Sequence, residues 1–225
     1  LTNALEPWVK QLPLIGFDAL AHEAAAVNEI KRHKRFTVVI GNPPYAGHSV
    51  NNHIPAIVDL VHDYKVGLPE LDRPGQGKWL QDDYVKFIRL GEHILASVSA
   101  GVLGYITNHS FLDNPTFKGM RKHLLSCFPR ISLTDLHGNA KKKERMADGT
   151  ADENVFEIQQ GVAIMVGRRG SSSPTVTAHD LSGTREQKYS WLAAHSAPTT
   201  GAQIHPASPM YLFRAQDSTL STEYG

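Results

Sequence analysis

The sequence has 225 residues, which suits one domain, or one domain with a small appendage. Hydrophobic residues make up 41% and charged residues 20%, as in ordinary globular proteins, and no apolar run approaches the roughly 20 residues that a membrane span needs. The single cysteine, Cys127, excludes an internal disulfide and fits a reducing cytosol, so we expect a cytoplasmic protein, while a net charge of +1 neither argues for nucleic-acid binding nor excludes it.

The first third of the chain predicts a helix, a strand and a long loop. Apolar residues recur at helical spacing over 18–34, and basic residues close that segment, where they suit the helix dipole. The β-branched run over 36–41 predicts a fully buried parallel strand. Residues 46–80 are rich in Gly, Pro, Asn and His, which predicts a long surface loop with one helical turn, of the kind that is usually functional.

The middle of the chain alternates between helical and strand patterns. Helices are predicted after Asp82 or Asp83 and again from Asn114-Pro115, with Pro at the first helical position. Strands are predicted at 101–108, 131–136 and 161–167. The last two lack a helix between them, which predicts an antiparallel hairpin at the edge of a mostly parallel sheet. The alternation indicates an α/β layered fold, and the SSSPT stretch after Gly170 predicts a linker.

The stretch Asn42-Pro43-Pro44-Tyr45 follows the first predicted strand directly. In open α/β sheets, ligands bind at the carboxyl ends of the strands, and this stretch lies there. Pro44 forces Pro43 into an extended conformation, so a stiff turn carries two acceptors, the Asn42 side-chain oxygen and the Pro43 carbonyl. Tyr45 adds a flat aromatic face beside them.

An exocyclic amino group of a nucleobase fits two converging acceptors and an aromatic face. Acceptors on both N–H bonds favour a pyramidal nitrogen, whose lone pair can then attack an electrophile; this is electrostatic preorganisation toward a developing positive charge. The nitrogen loses its proton readily once alkylated, so no strong base is needed. A base reaches such a pocket only by leaving the duplex, at a cost that stacking on Tyr45 helps to offset.

The tetrapeptide after an apolar strand resembles motif IV of the amino-group DNA methyltransferases. Later blocks resemble the adenine-specific methyltransferase region of large type IIG and type ISP restriction–modification enzymes, and the match covers most of residues 14–170. The tail around SPMYLF resembles the segment that comes after the methyltransferase region in those enzymes. The blocks are WLQDDYVKFIRLGEHIL, GYITNHSFLDNPTFKGMRKHLL, DLHGNAKKKE and DENVFEIQQGVAI.

The resemblance implies a class I, Rossmann-like methyltransferase fold of which this chain holds the later strands. It implies transfer of a methyl group from S-adenosylmethionine to N6 of a flipped adenine in double-stranded DNA. Asn42 and Pro43 would bind the amino group, with Asn42 also facing the cofactor. Tyr45 would stack on the base, and Phe156 matches the position of a second aromatic. Residues 1–170 would then be the catalytic half, and 171–225 a linker and the start of another region.

The chain departs from the family before Asn42. The family's cofactor motif is a glycine-rich turn after a strand, followed by an acidic residue, and neither precedes Asn42. The sequence also opens on Leu1 rather than Met. We therefore expect a fragment, with the cofactor-binding half and any nuclease or helicase segment on the same or an adjacent polypeptide.

Several alternatives stay open on the sequence. Glutamine N5-methyltransferases of release factors share the tetrapeptide, and a remnant or DNA-interaction module would also lack the cofactor motif. Asn108-His109-Ser110 either lines the pocket or forms a turn that ends a strand, and Tyr45 could simply pack under the long loop. Lys141 to Arg145 could touch phosphates or form a solvated loop. The histidines match no zinc signature, so no metal site is expected.

Overall fold

The computed structural model describes residues 3–7, 18–45, 49, 51–195 and 201–215, although the side chains of 18–21 are outside the description. Six strands form a single sheet. They are β1 (Val38–Gly41), β2 (Gly101–Asn108), β3 (Arg130–His137), β4 (Val162–Arg169), β5 (Thr175–Asp180) and β6 (Ala202–Ile204). Within the described ranges, every helix is too short or too polar to cross a membrane.

In the described part of the chain, five α-helices accompany the sheet. They are α1 (Asp18–His33), α2 (Pro55–His62), α3 (Asp83–Ala96), α4 (Lys118–Cys127) and α5 (Arg185–Ala194). The span 46–80 therefore carries more structure than the single predicted turn, because α2 buries Ile57 and Val61 and the following 3-10 turn buries Tyr64. The helix predicted after Asn114 begins as a 3-10 turn, where the Asn114 side chain accepts a hydrogen bond from the Thr116 N–H (2.9 Å).

The strand order is β1-β2-β4-β3-β5-β6. β1, β2, β3 and β5 run in one direction, while β4 and β6 run against them. The sheet is thus mixed: four of its six strands share one direction, in line with the predicted mostly parallel sheet, although three of the five neighbouring pairs are antiparallel. The predicted antiparallel pair is present, with Leu133 opposite Met165. Its predicted position at the sheet edge is wrong, because β4 lies between β2 and β3, and β5 and β6 extend the sheet beyond β3.

The sheet continues past residue 170. Thr175 to Asp180 pair in parallel with β3, and Ala202 to Ile204 pair with β5. The division of the chain at residue 170 stays a prediction, but little of the described tail is linker. These strands were not predicted from the sequence because β5 is half polar and β6 has only three residues.

Helices α3 and α4 cover one face of the sheet. Apolar residues at helical spacing on α3, among them Tyr84, Ile88 and Leu95, are buried against the strands. At Gly91 a Cβ atom would lie 2.5 Å from the side chain of Leu103, so glycine allows close approach of α3 to β2. The other face carries a smaller cluster around Leu136, which includes residues of α5.

β1 is parallel to β2, as predicted, but the prediction that it is fully buried is wrong. Val38 is 57% exposed and Ile40 is 77% exposed. β1 is an edge strand, and among the described residues it pairs with β2 alone. An apolar run at an open edge is a surface that pairs readily with another strand.

Candidate active site at the carboxyl edge of the sheet

The tetrapeptide leaves the sheet at the carboxyl end of β1. The parallel strand β2 ends at the same edge, with Asn108. Asn42 and Pro44 are exposed, Pro43 is buried and Tyr45 is half-buried. Because a proline cannot donate to a sheet ladder, Pro43 ends the strand and turns the chain out of the sheet.

Asn42 and Tyr45 contact each other directly. The Tyr45 hydroxyl donates to the side-chain oxygen of Asn42, and it also lies 3.1 Å from the Ile106 carbonyl on β2. In the described part of the chain, no donor contacts the Pro43 carbonyl. One of the two expected acceptors therefore already accepts from Tyr45, which leaves the second lone pair of the Asn42 oxygen for an amine.

Tyr45 also contacts Phe156, the second predicted aromatic. The ring centroids are 6.4 Å apart and the planes are tilted by 43°. Both rings pack against a buried cluster of Leu136, Val155 and Val162. The two rings therefore lie close together but are not parallel, so stacking one base on both would require one ring to turn.

Asn154 shapes the loop that carries Phe156. Its side-chain oxygen accepts from the Phe156 N–H (2.8 Å), and its amide nitrogen donates to the carbonyls of Gly138 (2.9 Å) and Gln160 (2.7 Å). Gln160 in turn donates to the Tyr45 carbonyl (3.3 Å). Sequence analysis missed Asn154 and Gln160, although both lie in the quoted NVFEIQQ block.

The Tyr45 phenol is a neutral hydrogen-bond donor. Burial raises its pKa to about 12, because the charged phenolate would lose solvation. At neutral pH the hydroxyl keeps its proton. Tyr45 therefore offers an aromatic face and an O–H group, and it is not a general base.

Asn108 and His109 have separate roles. The Asn108 side chain accepts from the Ser110 N–H (2.9 Å), which is the turn interpretation of this segment. His109 is buried, with Nδ1 3.0 Å from Asp135 Oδ1 and Nε2 3.2 Å from the Asn139 amide. This buried polar set joins the ends of β2 and β3, so it fixes the edge on which the tetrapeptide lies.

The tail of the chain closes the same edge. Arg214 forms ion pairs with Asp113 (3.0 Å), Asp135 and Asp180 (3.8 Å). The fully buried Arg121 donates to the Met210 carbonyl (2.7 Å from Nη2), which fastens the SPMYLF segment to α4. The tail is therefore an integral part of the domain over its described residues.

Two further features flank the tetrapeptide. The buried Lys86 on α3 donates to Ser49 Oγ (2.6 Å) and Asn52 Oδ1 (2.6 Å), and so ties down the chain just after Tyr45. Lys141 to Lys143 and Arg145 are exposed in the loop after β3. This basic run lies at the carboxyl edge and is open to an anionic partner.

Residues 5–141 match the family described as Eco57I restriction-modification methylase. The match spans more than half of the chain, so the chain belongs to that family, and the resemblance drawn from the sequence is confirmed. No curated protein matches the sequence.

The solved structures that share the fold include three DNA-bound enzymes. A DrdV–DNA complex aligns with a TM-score of 0.72 at 22% identity, covering 88% of this chain and 20% of DrdV. The Type ISP restriction-modification enzyme LlaGI, bound to a DNA substrate mimic, gives 0.71 at 21% identity over 91% of this chain and 20% of that protein. The ATP-dependent Type ISP enzyme LlaBIII, bound to DNA, gives 0.74 at 22% identity over 95% and 15%. The chain thus spans a fifth or less of the length of each.

Proposed function

We propose that this chain is the base-binding half of an N6-adenine DNA methyltransferase in a restriction–modification system, with a class I methyltransferase fold. The observation that carries the proposal is the joint position of Asn42, Pro43, Tyr45 and Phe156 at one edge of the sheet. Tyr45 contacts both Asn42 and Phe156 there, and Pro43 adds a backbone acceptor next to Asn42 in the chain. Family membership supports methyl transfer, and the exposed basic run after β3 supports a nucleic-acid partner.

In the proposed reaction this chain binds and orients the target base. The Asn42 oxygen and the Pro43 carbonyl accept from the two N–H bonds of adenine N6, while Tyr45 and Phe156 stack on the flipped ring. The amine nitrogen would form a bond to the methyl carbon through its lone pair as the carbon–sulfur bond of the donor breaks, the donor leaving as a neutral thioether, and the nitrogen would then release one proton to water. The neutral Tyr45 phenol takes no part in that proton transfer, since its pKa is raised to about 12.

The residues of this chain fit the base better than the methyl donor. S-adenosylmethionine, when bound, supplies an electrophilic methyl group, and Asn42 is the one residue of the tetrapeptide that we assign to face it. We propose that the remaining cofactor contacts come from further residues whose strand pairs with the open edge of β1. The exposure of Val38 and Ile40 supports this arrangement.

The test uses the enzyme expressed from the intact gene. Tritiated methyl transfer to DNA, followed by nucleoside analysis, should yield N6-methyladenine. Asn42→Ala should reduce the rate by more than roughly 100-fold, as loss of a single preorganised polar contact can, while cofactor binding stays near wild type. Near-full activity of Asn42→Ala would remove the assigned role of Asn42.

The substrate decides between the proposed reaction and its alternatives. A glutamine N5-methyltransferase would label a release-factor peptide and leave DNA unlabelled, and a remnant would label neither. The proposal requires label in DNA adenine. A matched pair of surface variants tests the assembly. Ile40→Arg, on the edge strand, should block association with the cofactor-binding part, whereas Val66→Arg, at a residue 67% exposed outside the sheet, should leave it intact.

A further inference from the structure

Three metal-ligating side chains meet on the helical layer, away from the tetrapeptide. Glu92 lies on α3, and His123 and Cys127 lie one turn apart on α4. Each offers one ligand atom, and these atoms all lie within 4.8 Å of one another. Residues four apart on a helix lie on one face, which is why His123 and Cys127 can converge on Glu92.

The distances suit a tetrahedral zinc ion. His123 Nδ1 lies 3.2 Å from Glu92 Oε1 and 3.6 Å from Cys127 Sγ. Typical Zn–N, Zn–O and Zn–S bond lengths at a tetrahedral angle put nitrogen and oxygen about 3.4 Å apart, and nitrogen and sulfur about 3.6 Å apart. The two distances from His123 therefore match a tetrahedral ion, and the third, between Glu92 and Cys127, is at most 4.8 Å.

A second layer of contacts holds the glutamate in place. The Tyr64 hydroxyl donates to Glu92 Oε2 (2.8 Å), so the other oxygen, Oε1, is the one that faces His123. The Tyr64 ring also packs edge-on against the His123 ring, with 5.4 Å between centroids. Arg89 approaches the same far oxygen (3.7 Å), but its charge is paired with Asp63 (2.5 Å). Metal sites commonly orient their ligands through such outer contacts.

We propose that Glu92, His123 and Cys127 form a binding site for a divalent metal of intermediate softness, best matched by Zn²⁺. Thiolate and carboxylate balance the charge of the ion, and neutral imidazole completes the protein ligands. The fourth position is open to water, because His123 and Cys127 are partly exposed while Glu92 is buried. Sequence spacing predicted no such site, since Glu92 is distant in the chain and no second cysteine is present.

The site would be structural. Cys127 ends α4 just before β3 begins at Arg130, near the amino edge of the sheet, whereas the tetrapeptide lies at the carboxyl edge. A bound ion would link α3 to α4. Metal bound by the folded state alone stabilises that state by mass action.

A second group of possible ligands, His109, Asp135 and His137, serves as an internal contrast. Its atoms also lie within 4.8 Å of one another. However, both Asp135 oxygens already accept hydrogen bonds, Oδ1 from the His137 backbone N–H and Oδ2 directly from the Arg214 guanidinium. We expect no metal there.

The test titrates the chain with Co²⁺ and then with Zn²⁺. Co²⁺ should give a thiolate charge-transfer band at one equivalent, and Zn²⁺ should displace it. Cys127→Ser should remove the band and weaken Zn²⁺ binding by at least roughly 100-fold, because loss of an outer contact alone typically costs 10–100-fold. His123→Gln should weaken binding similarly. His137→Asn, in the second group, should bind as tightly as wild type.

Thermal unfolding supplies a second readout that does not need the spectroscopic probe. Relative to each protein's own Tm in chelator, Zn²⁺ should raise the Tm of the wild type and of His137→Asn, and leave that of Cys127→Ser unchanged. Absence of the band, or Zn²⁺ binding that is insensitive to both Cys127→Ser and His123→Gln, overturns the proposal. The three side chains would then form a hydrogen-bonded ion pair with a nearby thiol and no metal site.

Discussion

The Tyr45 hydroxyl donates to the side-chain oxygen of Asn42, so the ring proposed to stack on the base also covers one of its acceptors. Removing that hydroxyl should free Asn42 without removing the aromatic face. We expect Tyr45→Phe to methylate DNA within roughly tenfold of wild type, and Tyr45→Ala to lose roughly 10- to 100-fold, the value of base stacking on one ring. Single-turnover methylation rates measure both.

The Tyr45 pair separates two roles of the side chain. Tyr45→Phe should lower the free energy of unfolding by about 1 kcal/mol, because the hydroxyl loses its contacts with Asn42 and Ile106. If Tyr45→Phe loses as much activity as Tyr45→Ala, the hydroxyl rather than the ring is the group that matters. A fluorescent base analogue at the target adenine would then report whether flipping itself has failed.

Two glycines with positive φ give a matched test of the loop that carries Phe156. Gly138 has φ +74°, and a Cβ atom there would lie 2.4 Å from the Asn154 backbone; Gly149 has φ +86° with nothing within 4 Å. Gly149→Ala should cost about 1–2 kcal/mol from backbone strain alone. Gly138→Ala adds a backbone clash and should cost at least about 3 kcal/mol. Urea unfolding measures both, and equal losses would contradict the close approach.

The sequence predicted the elements of this fold better than their arrangement. Hydrophobic period located β2, β3, β4 and α3 within one or two residues, because each buries a regular apolar face. The position of β4 between β2 and β3 depends on tertiary pairing that local pattern does not encode. The burial of β1 was mispredicted for a related reason. An apolar run indicates that a strand tends to be buried, but it does not identify the residues that bury it.

The candidate site divides in the same way. The tetrapeptide could be predicted as a candidate site because two prolines after a strand fix a rigid turn. Phe156 was predicted from the family resemblance. The roles of Asn154 and Gln160 could not be predicted, since they depend on contacts with Gly138 and Tyr45 that form only in the folded chain. The ligands Glu92, His123 and Cys127 likewise converge only when α3 packs beside α4.

Lys86 provides a test of how the chain after Tyr45 is positioned. Its side chain is buried, contacts Ser49 and Asn52, and lies 4.0 Å from Asp83. Lys86→Met leaves Asp83 with a buried charge and should cost about 3 kcal/mol. The KM for DNA should rise while the KM for cofactor changes little, and adding Asp83→Asn should recover part of the stability.

A surface ion pair is the control for Lys86. Lys65→Met breaks a pair with the exposed Asp72 (3.3 Å) and should cost at most about 1 kcal/mol, with both KM values unchanged. If the two methionine variants behave alike in unfolding and kinetics, burial of Lys86 does not position the loop.

His137 makes the stability of the fold depend on pH. Burial alone would lower its pKa, but the carboxylates of Asp180, Glu144 and Asp135 outweigh burial and raise it to about 10, from an ordinary 6.5. A group whose pKa is higher in the folded state stabilises fully below its unfolded pKa, and that contribution is lost as the pH rises through the folded pKa. The free energy of unfolding should therefore fall between pH 6.5 and 10.

Urea unfolding at a series of pH values, in buffer with a chelator, measures this slope. His123 adds a slope of the same sign, because Cys127 and Glu92 raise its pKa to about 10, so the wild-type curve alone does not isolate His137. The comparison with His137→Asn does, since asparagine tolerates the positive φ of 51° at this position. The variant should be less stable at pH 6.5 and should lose less stability toward pH 10. Parallel curves for the two proteins would show that His137 is not held as a cation by its three carboxylates.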